Sequence, residues 1–281
     1  MRNLFGGYYY KFQSKDQTMA VIVAHHEGQH SGACSIQIIT NRKAYCFEYP
    51  GSDFVPLGKS PNVKIRDNLF SEKRVRLSLH EPGFDLEGCA DLSGLSPLAY
   101  DIMGPFALVP HMECRHSVFS MTHKVNGSFV IDGEKFDFTD AMGYIEGDRG
   151  YSFPKRYLWT QCLFDGGSLM LSAADIPIGP LNFTGIIGFV LLGGKEIRIA
   201  TYLGARPVRI GEQKITVKQG DYLFEAQLID KTVIPLRAPD LGHMTRTIRE
   251  NASCKARYVL TQGSKVLLNM ESALASFEYE Y

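Results

Sequence analysis

The stretch that decides the fold class reads Asn126-Gly127-Ser128-Phe129-Val130-Ile131-Asp132-Gly133-Glu134-Lys135-Phe136-Asp137-Phe138. Apolar and polar residues alternate on both sides of Asp132-Gly133, which is typical of half-buried strands. The dipeptides Asn126-Gly127 and Asp132-Gly133 both favour the positive φ angles of a type I′ turn. The stretch therefore predicts two tight turns, each joining antiparallel strands.

The same pattern recurs along the chain. Strand-like runs flank Gly193-Gly194, Gln219-Gly220 and Gln262-Gly263-Ser264. Successive parallel strands would need a crossover of about a dozen residues, usually a helix, between them. The best helix candidate is Leu241–Asn251, with Asp240 as a possible N-cap. The sequence therefore predicts an all-β fold of antiparallel sheets with very little helix.

Two domains are expected from the number of strands. The 281-residue chain offers roughly fifteen to twenty strand-like runs, whereas sheets rarely exceed about ten strands without splitting or curling. The Gly- and Pro-containing segment Gly143–Pro154 lies near mid-chain. We therefore predict an N-terminal domain over 1–142 and a C-terminal domain over 143–281.

Composition excludes several classes of protein. Thirty Lys and Arg residues balance thirty Asp and Glu residues, so no net charge attracts nucleic acid or an anionic membrane surface. The aromatic content of 11% argues against intrinsic disorder. Residues 1–10 lack the apolar core of a secretory signal, and the longest apolar stretch, 185–194, is about half a membrane span. We expect a soluble cytoplasmic monomer without stable membrane insertion.

Cysteine and histidine spacing indicates no metal centre. The six cysteines form no Cys-x-x-Cys pair, and the eight histidines, His111, His116 and His123 among them, match no common zinc motif. We therefore expect reduced thiols, no metal and no other cofactor.

A second stretch carries a family resemblance. Gly143-Tyr144-Ile145-Glu146-Gly147-Asp148-Arg149-Gly150 is followed by Phe153-Pro154, Tyr157-Leu158-Trp159 and Gln161-Cys162. It resembles the signature of the tocopherol cyclase-like family, in which an aromatic residue, Glu and Asn or Asp alternate before Trp-Gly, Phe-Pro, aromatic-x-Trp and Gln-Cys. Gly104-Pro105-Phe106, Pro110-His111, Gly127, Arg198–Gly204 and Ala275–Glu278 resemble flanking parts. Only the central motif is specific, and Arg149 replaces the family's Trp.

The resemblance implies a fold and a chemistry. Through carotenoid hydratase-like relatives, it implies two lipocalin-like β-barrel or sandwich domains with an apolar cavity. It also implies an isomerase (intramolecular lyase) or hydratase that protonates an alkene of an isoprenoid-like, apolar substrate without a cofactor. Such a reaction needs a protonated acid in apolar surroundings, a dry pocket and aromatic faces that tolerate a carbocation.

Glu146 is the candidate acid. In an extended segment Tyr144, Glu146 and Asp148 project to one side, and a neighbouring carboxylate raises the pKa of the acid. Asp148 either shares a proton or orients Tyr144, or it only caps a turn. Arg149 adds a cation that would lower the pKa of a carboxylate it paired with. The alternative is an ordinary surface pair of carboxylates.

His116 is the second catalytic candidate. It shares a strand face with Met112, Cys114 and Val118, although a histidine among apolar neighbours is commonly a core residue. His123 would point to the opposite face of an unbroken strand. The remaining candidates for substrate binding are Tyr151, Tyr157, Trp159 and Gln161. Each of them is alternatively an ordinary packing or hydrogen-bonding residue.

Two other functions fit an all-β chain. A noncatalytic carrier would hold a lipid or another apolar ligand in the same cavity, and a sugar-binding sandwich would also display aromatic residues and carboxylates. The cavity around Glu146 separates these hypotheses. A deep apolar cavity favours proton chemistry, and a shallow wet groove favours a binding module.

Overall fold

A computed structural model describes residues 4–27, 32–110, 112–178, 181–229, 234–240 and 243–281. These residues form twenty-two strands and three 3₁₀ turns, and the strands described below pair in antiparallel fashion. The predicted all-β fold of two antiparallel sheets is confirmed. Within the described ranges, the chain forms no helix of the length and apolarity that a membrane crossing requires.

The first sheet contains the first twelve strands. They are β1 Phe5–Gln13, β2 Thr18–His26, β3 Ala33–Thr40, β4 Ala44–Pro50, β5 Phe54–Pro56, β6 Val63–Ile65, β7 Asn68–Phe70, β8 Arg74–Glu81, β9 Phe84–Ser93, β10 Cys114–Ile131, β11 Glu134–Asp137 and β12 Ala141–Gly150. The 3₁₀ turns Gly51–Asp53 and Gly104–Leu108 lie in connections. β12 is inserted between β1 and β10, so it joins two series of hairpins and is paired on both sides.

The second sheet repeats this arrangement. Its strands are β13 Tyr157–Phe164, β14 Gly167–Ile178, β15 Leu181–Leu192, β16 Lys195–Arg198, β17 Arg206–Gly211, β18 Lys214–Gln219, β19 Tyr222–Leu228, β20 Ile234–Asp240, β21 His243–Gln262 and β22 Lys265–Tyr279. The third 3₁₀ turn is Thr201–Leu203. β13 lies between β14 and the C-terminal strand β22. The motif that carries the resemblance therefore supplies a doubly paired strand to each sheet.

The chain divides into two compact units. The first contains 1–98, 114–152 and 237–246, and the second contains 99–113, 153–236 and 247–281. The change of unit at Ser152 lies within the predicted junction Gly143–Pro154. β12 pairs with β1 from Met142 to Gly150, and residues 143–152 belong to the first unit. The boundary between domains after residue 142 stays a prediction.

The turn at Asp132-Gly133 forms as predicted, with φ of 49° and 84°. Gly193-Gly194, Gly220 and Gly263 also have positive φ between paired strands. The prediction for Asn126-Gly127 is wrong, because both residues lie inside β10 and pair with β9. A Cβ on Gly127 would lie 2.1 Å from the Cys89 carbonyl oxygen. The glycine thus permits a close approach of two strands rather than a turn.

The predicted helix is also wrong. The described part of Leu241–Asn251 belongs to strand β21, while residues 241 and 242 lie outside the described residues, as does His111. Strand pairing overrides any local preference for helix here, because β20 pairs with β21 and Glu250 and Asn251 pair with β22.

Each sheet has one face on a hydrophobic core. In the first unit, Phe12, Phe129 and Ile145 belong to this core, and in the second unit Leu158 and Cys162 do. Side chains of neighbouring residues in a strand point to opposite faces. Tyr144 and Glu146 therefore lie on the face opposite the first core, and Trp159 and Gln161 lie on the face opposite the second. All four are buried, so both faces of these strands are shielded from solvent.

Candidate functional site

Strand register brings four predicted residues together in the first unit. Tyr144, Glu146 and Asp148 alternate along β12, and His116 on β10 lies directly opposite Asp148. Val118 pairs with Glu146, and a register shift follows Val118. The side chain of His116 therefore lies on the same face of the sheet as Glu146 and Asp148. We call His116, Tyr144, Glu146 and Asp148 the His116 cluster.

His116 lies between the two carboxylates. Its Nδ1 atom is 3.0 Å from Asp148 Oδ1 and its Nε2 atom is 3.1 Å from Glu146 Oε2. Cys114 donates its thiol to the same Asp148 oxygen at 3.3 Å. Burial alone would lower the pKa of His116, but the attraction of Glu146 and Asp148 outweighs it and raises that pKa well above 6.5. The imidazole ring therefore carries a proton at neutral pH.

Tyr144 completes the His116 cluster. Its hydroxyl donates a hydrogen bond to Glu146 Oε2 at 2.6 Å. Burial, with the charge of Glu146 as the next cause, raises the pKa of Tyr144 well above 10, so the phenol keeps its proton. One oxygen of Glu146 is thus close to both a phenol and an imidazolium. The cluster is a chain of proton-holding groups in surroundings with little water.

The stability of the protein should reflect this buried proton. A group whose pKa is raised by folding stabilises fully below its unfolded pKa, here near 6.5, and the contribution disappears as pH rises through the folded pKa. We expect the free energy of unfolding to fall above pH 6.5 by up to about 1.4 kcal/mol per pH unit. Urea unfolding between pH 6 and pH 9 measures this slope. His116→Gln should lack this pH-dependent contribution to the free energy of unfolding. Equal slopes in the wild type and in His116→Gln would contradict the raised pKa of His116.

The cluster also corrects the expectation that the chain has no group of metal ligands. One donor atom each from His116, Glu146 and Asp148 lies within 4.8 Å of the others. These three residue types suit a divalent transition metal. In the observed geometry both ring nitrogens face carboxylate oxygens, so an incoming cation would have to displace the proton of His116.

Chelation tests whether the protein depends on a metal at this cluster. We expect prolonged treatment with a chelator to leave the Tm unchanged, because the protonated imidazole already lies between the two carboxylates and offsets one of their two negative charges. The measurement is thermal unfolding before and after treatment. A fall in Tm that added Zn²⁺ reverses in the wild type, but not in Glu146→Gln, would identify the cluster as a metal centre.

Three other predicted residues do not join the His116 cluster. His123 packs against Gly143, where a Cβ would meet its Nε2 at 2.2 Å, and burial lowers the pKa of His123 to about 4. Gly143 is next to Tyr144 and lies on the other face of β12. Arg149 is exposed and also on the other face, so it does not pair with Glu146. Tyr151 is half-buried and follows the end of β12.

The remaining candidates lie together in the second unit. Tyr157, Trp159 and Gln161 alternate along β13 and are buried. Tyr157 donates a hydrogen bond to Glu278 Oε2 at 2.5 Å, and Glu278 is opposite Trp159 on β22. Sequence reasoning did not assign a role to Glu278. Because Phe277 is a core residue, the next residue, Glu278, is expected on the opposite face of β22. That β22 pairs with β13 cannot be predicted from the sequence.

A groove of about 780 Å³ in the first unit is lined by residues including His25, Glu48, Tyr49 and Phe54. None of the residues of the His116 cluster lines it. Acidic and imidazole side chains mix with aromatic rings along its wall. This groove is therefore not the apolar cavity that was expected around Glu146.

Comparison with known proteins supports the fold. No family model matches the chain, and no curated protein matches it. The crystal structure of kievitone hydratase from Nectria haematococca aligns with a TM-score of 0.55 at 10% identity, covering 99% of this chain and 89% of that one. The binding domain of Botulinum Neurotoxin DC in complex with SialylT aligns with a TM-score of only 0.15 at 7% identity, covering 100% and 79%, too low to indicate a common fold. The chain thus shares the overall fold of that structure, and the tocopherol cyclase-like resemblance rests on the motif alone.

Proposed function

We propose that this protein is a cofactor-independent enzyme that protonates an alkene in an apolar, isoprenoid-like substrate and completes a hydration or a cyclisation. The observation that carries the proposal is the short series of contacts from Asp148 through His116 to Glu146 and Tyr144. The hydratase-like fold supports the same chemistry.

The first step is a proton transfer within the His116 cluster. Burial penalises charged groups, so a neutral carboxylic acid beside a neutral imidazole competes with the ion pair in a dry site. A small rotation would align His116 Nε2 with Glu146 Oε2, which is 3.1 Å away, and the proton would pass to Glu146. Asp148 keeps the ring oriented through Nδ1. Glu146 then has the protonated form that a general acid needs.

The second step uses that proton. The alkene takes the proton of Glu146 and becomes a tertiary carbocation, while Glu146 becomes a carboxylate. Water, or a phenolic hydroxyl of the substrate, adds to the cation, and the proton that it releases returns to Glu146. The Tyr144 hydrogen bond stabilises the carboxylate between these events, while His116 is a neutral imidazole because its proton has passed to the substrate. Glu146 then returns the recovered proton to His116 Nε2. The cycle ends with every group in its starting protonation state.

Isotope labelling tests the proposal. Prenylated phenols and polyenes are incubated with the protein in ¹⁸O-labelled water, and the products are analysed by mass spectrometry. A hydratase gives a product that has gained one labelled water, and a cyclase gives an isomer that incorporates one deuterium in heavy water. Ligands that bind without any change in composition would show a carrier and overturn the proposed reaction.

A further inference from the structure

The buried face of the second unit contains polar atoms that lack partners. The side-chain oxygen and nitrogen of Gln161 are both buried without a hydrogen bond among the described residues, and so is Ser168 Oγ. Both residues are fully inaccessible to solvent. Leaving a buried polar group unsatisfied is destabilising, because the group has lost its hydrogen bonds with water. Three such atoms in one place indicate a group that normally satisfies them.

The register places these atoms side by side. Gln161 on β13 is opposite Met170 on β14, and Ser168 is opposite Leu163. Ser168 is therefore a diagonal neighbour of Gln161 on the same face, within reach of a shared hydrogen-bonding group. Trp159 lies on this face two residues before Gln161, and Glu278 lies opposite Trp159. We call Trp159, Gln161, Ser168 and Glu278 the Gln161 site.

The chemistry of the Gln161 site selects a class of ligand. The amide offers one acceptor and two donors, and a serine hydroxyl offers either, so the ligand group must both donate and accept. The carboxyl group of Glu278 nearby disfavours an anion, and this carboxyl group already accepts the hydrogen bond of Tyr157. The indole ring of Trp159 suits an apolar skeleton next to the polar group. A neutral hydroxyl group on an apolar molecule meets these requirements.

We propose that the Gln161 site binds the hydroxyl group of an apolar ligand, with Gln161 Oε1 accepting the hydrogen bond of that hydroxyl group and Ser168 or the Gln161 amide donating to its oxygen. This goes beyond the proposed function, because the Gln161 site belongs to the second unit and the His116 cluster to the first. Its test measures binding alone, so its failure and the absence of turnover are separate results.

Trp159 is the single tryptophan of the chain, and its fluorescence therefore reports on this site. The wild type is titrated with a prenylated phenol, a prenyl alcohol and the methyl ether of the phenol. We expect the phenol or the alcohol to change the emission at low concentration, and the ether, which cannot donate, to bind about tenfold to a hundredfold more weakly. The comparison of phenol with alcohol identifies which hydroxyl is preferred.

Variants separate ligand binding from a structural role. Gln161→Leu should weaken binding of the hydroxyl ligand by about tenfold to a hundredfold and remove its preference over the ether. Without ligand the same variant should have an unchanged or higher Tm, because two unsatisfied buried atoms are gone. Ser168→Ala should also weaken binding of the hydroxyl ligand, by a smaller factor. Gln227→Leu, at an exposed position of the same unit, is the matched control and should bind like the wild type.

Three outcomes would overturn the proposal. Equal affinities for hydroxyl ligand and ether would show that the hydroxyl is not recognised. Unchanged binding in Gln161→Leu would show that ordered water alone satisfies the amide. A large loss of Tm in unliganded Gln161→Leu and Ser168→Ala would assign both residues to the packing of the unit.

Discussion

Replacement of Glu146 by Gln should reduce turnover about a hundredfold to ten-thousandfold, the usual contribution of a general acid. The amide keeps the size of the side chain and still accepts the hydrogen bond of Tyr144, but it has no proton to transfer. Affinity for an apolar ligand should survive, because most of it comes from buried apolar area. Initial rates and equilibrium titrations with the same prenylated phenol give the two quantities.

Two variants make this result interpretable. Glu134→Gln changes an exposed residue of β11, outside the His116 cluster, and should turn over at the wild-type rate. His116→Gln should also lose most of the activity, because Glu146 would no longer be supplied with a proton. If Glu146→Gln keeps the wild-type rate while His116→Gln does not, the imidazolium itself is the acid and the proposed role of Glu146 is wrong.

Replacement of Phe129 by Ala should lower the free energy of unfolding by about 3–5 kcal/mol, as expected for a fully buried aromatic ring. The ring is inaccessible to solvent, and its centroid lies 5.5 Å from that of Phe12 and 6.3 Å from that of Phe138. The substitution would leave a cavity next to Phe12 on β1 and Phe138, which follows β11, in the first unit. Denaturant unfolding measures the loss.

Val130→Ala is the matched control, because Val130 is the next residue of β10 and is 39% exposed. We expect it to cost less than about 1 kcal/mol. Comparable losses in the two variants would mean that Phe129 does not face the core as described.

The sequence predicts those parts of the fold that depend on the residues of one turn alone. Asp132-Gly133 forms its turn because the two residues lie between the paired strands β10 and β11, where local turn chemistry decides the backbone. Asn126-Gly127 has equal turn chemistry, but it lies in the middle of an eighteen-residue strand where pairing with β9 determines its backbone. The segment 241–251 fails as a helix for the same reason. Pairing partners from distant parts of the chain decide these cases, and periodicity does not reveal them.

The candidate site likewise has one part that follows from a single strand and another part that depends on pairing between strands. Alternation along one strand correctly predicts that Tyr144, Glu146 and Asp148 share a face, since only local geometry is needed. The position of His116 between two carboxylates depends on a register shift in β10, which has no clear sequence signal. Ser168 and Glu278 were missed because their relevance appears only when β14 and β22 are aligned with β13.

The order of strands in the two sheets has a consequence for biosynthesis. β12 pairs with β1, which precedes it in the chain, whereas β13 pairs with β22, the last of the described strands. The first central pairing can form as soon as β12 has been synthesised, but the second must wait until β22 has been synthesised. Until then one edge of β13 has no strand to pair with, and such an edge invites aggregation. Contacts between residues far apart in the sequence, such as Trp159 and Glu278, also slow folding. The nascent chain should therefore depend on chaperones most in the interval between the synthesis of β13 and the synthesis of β22.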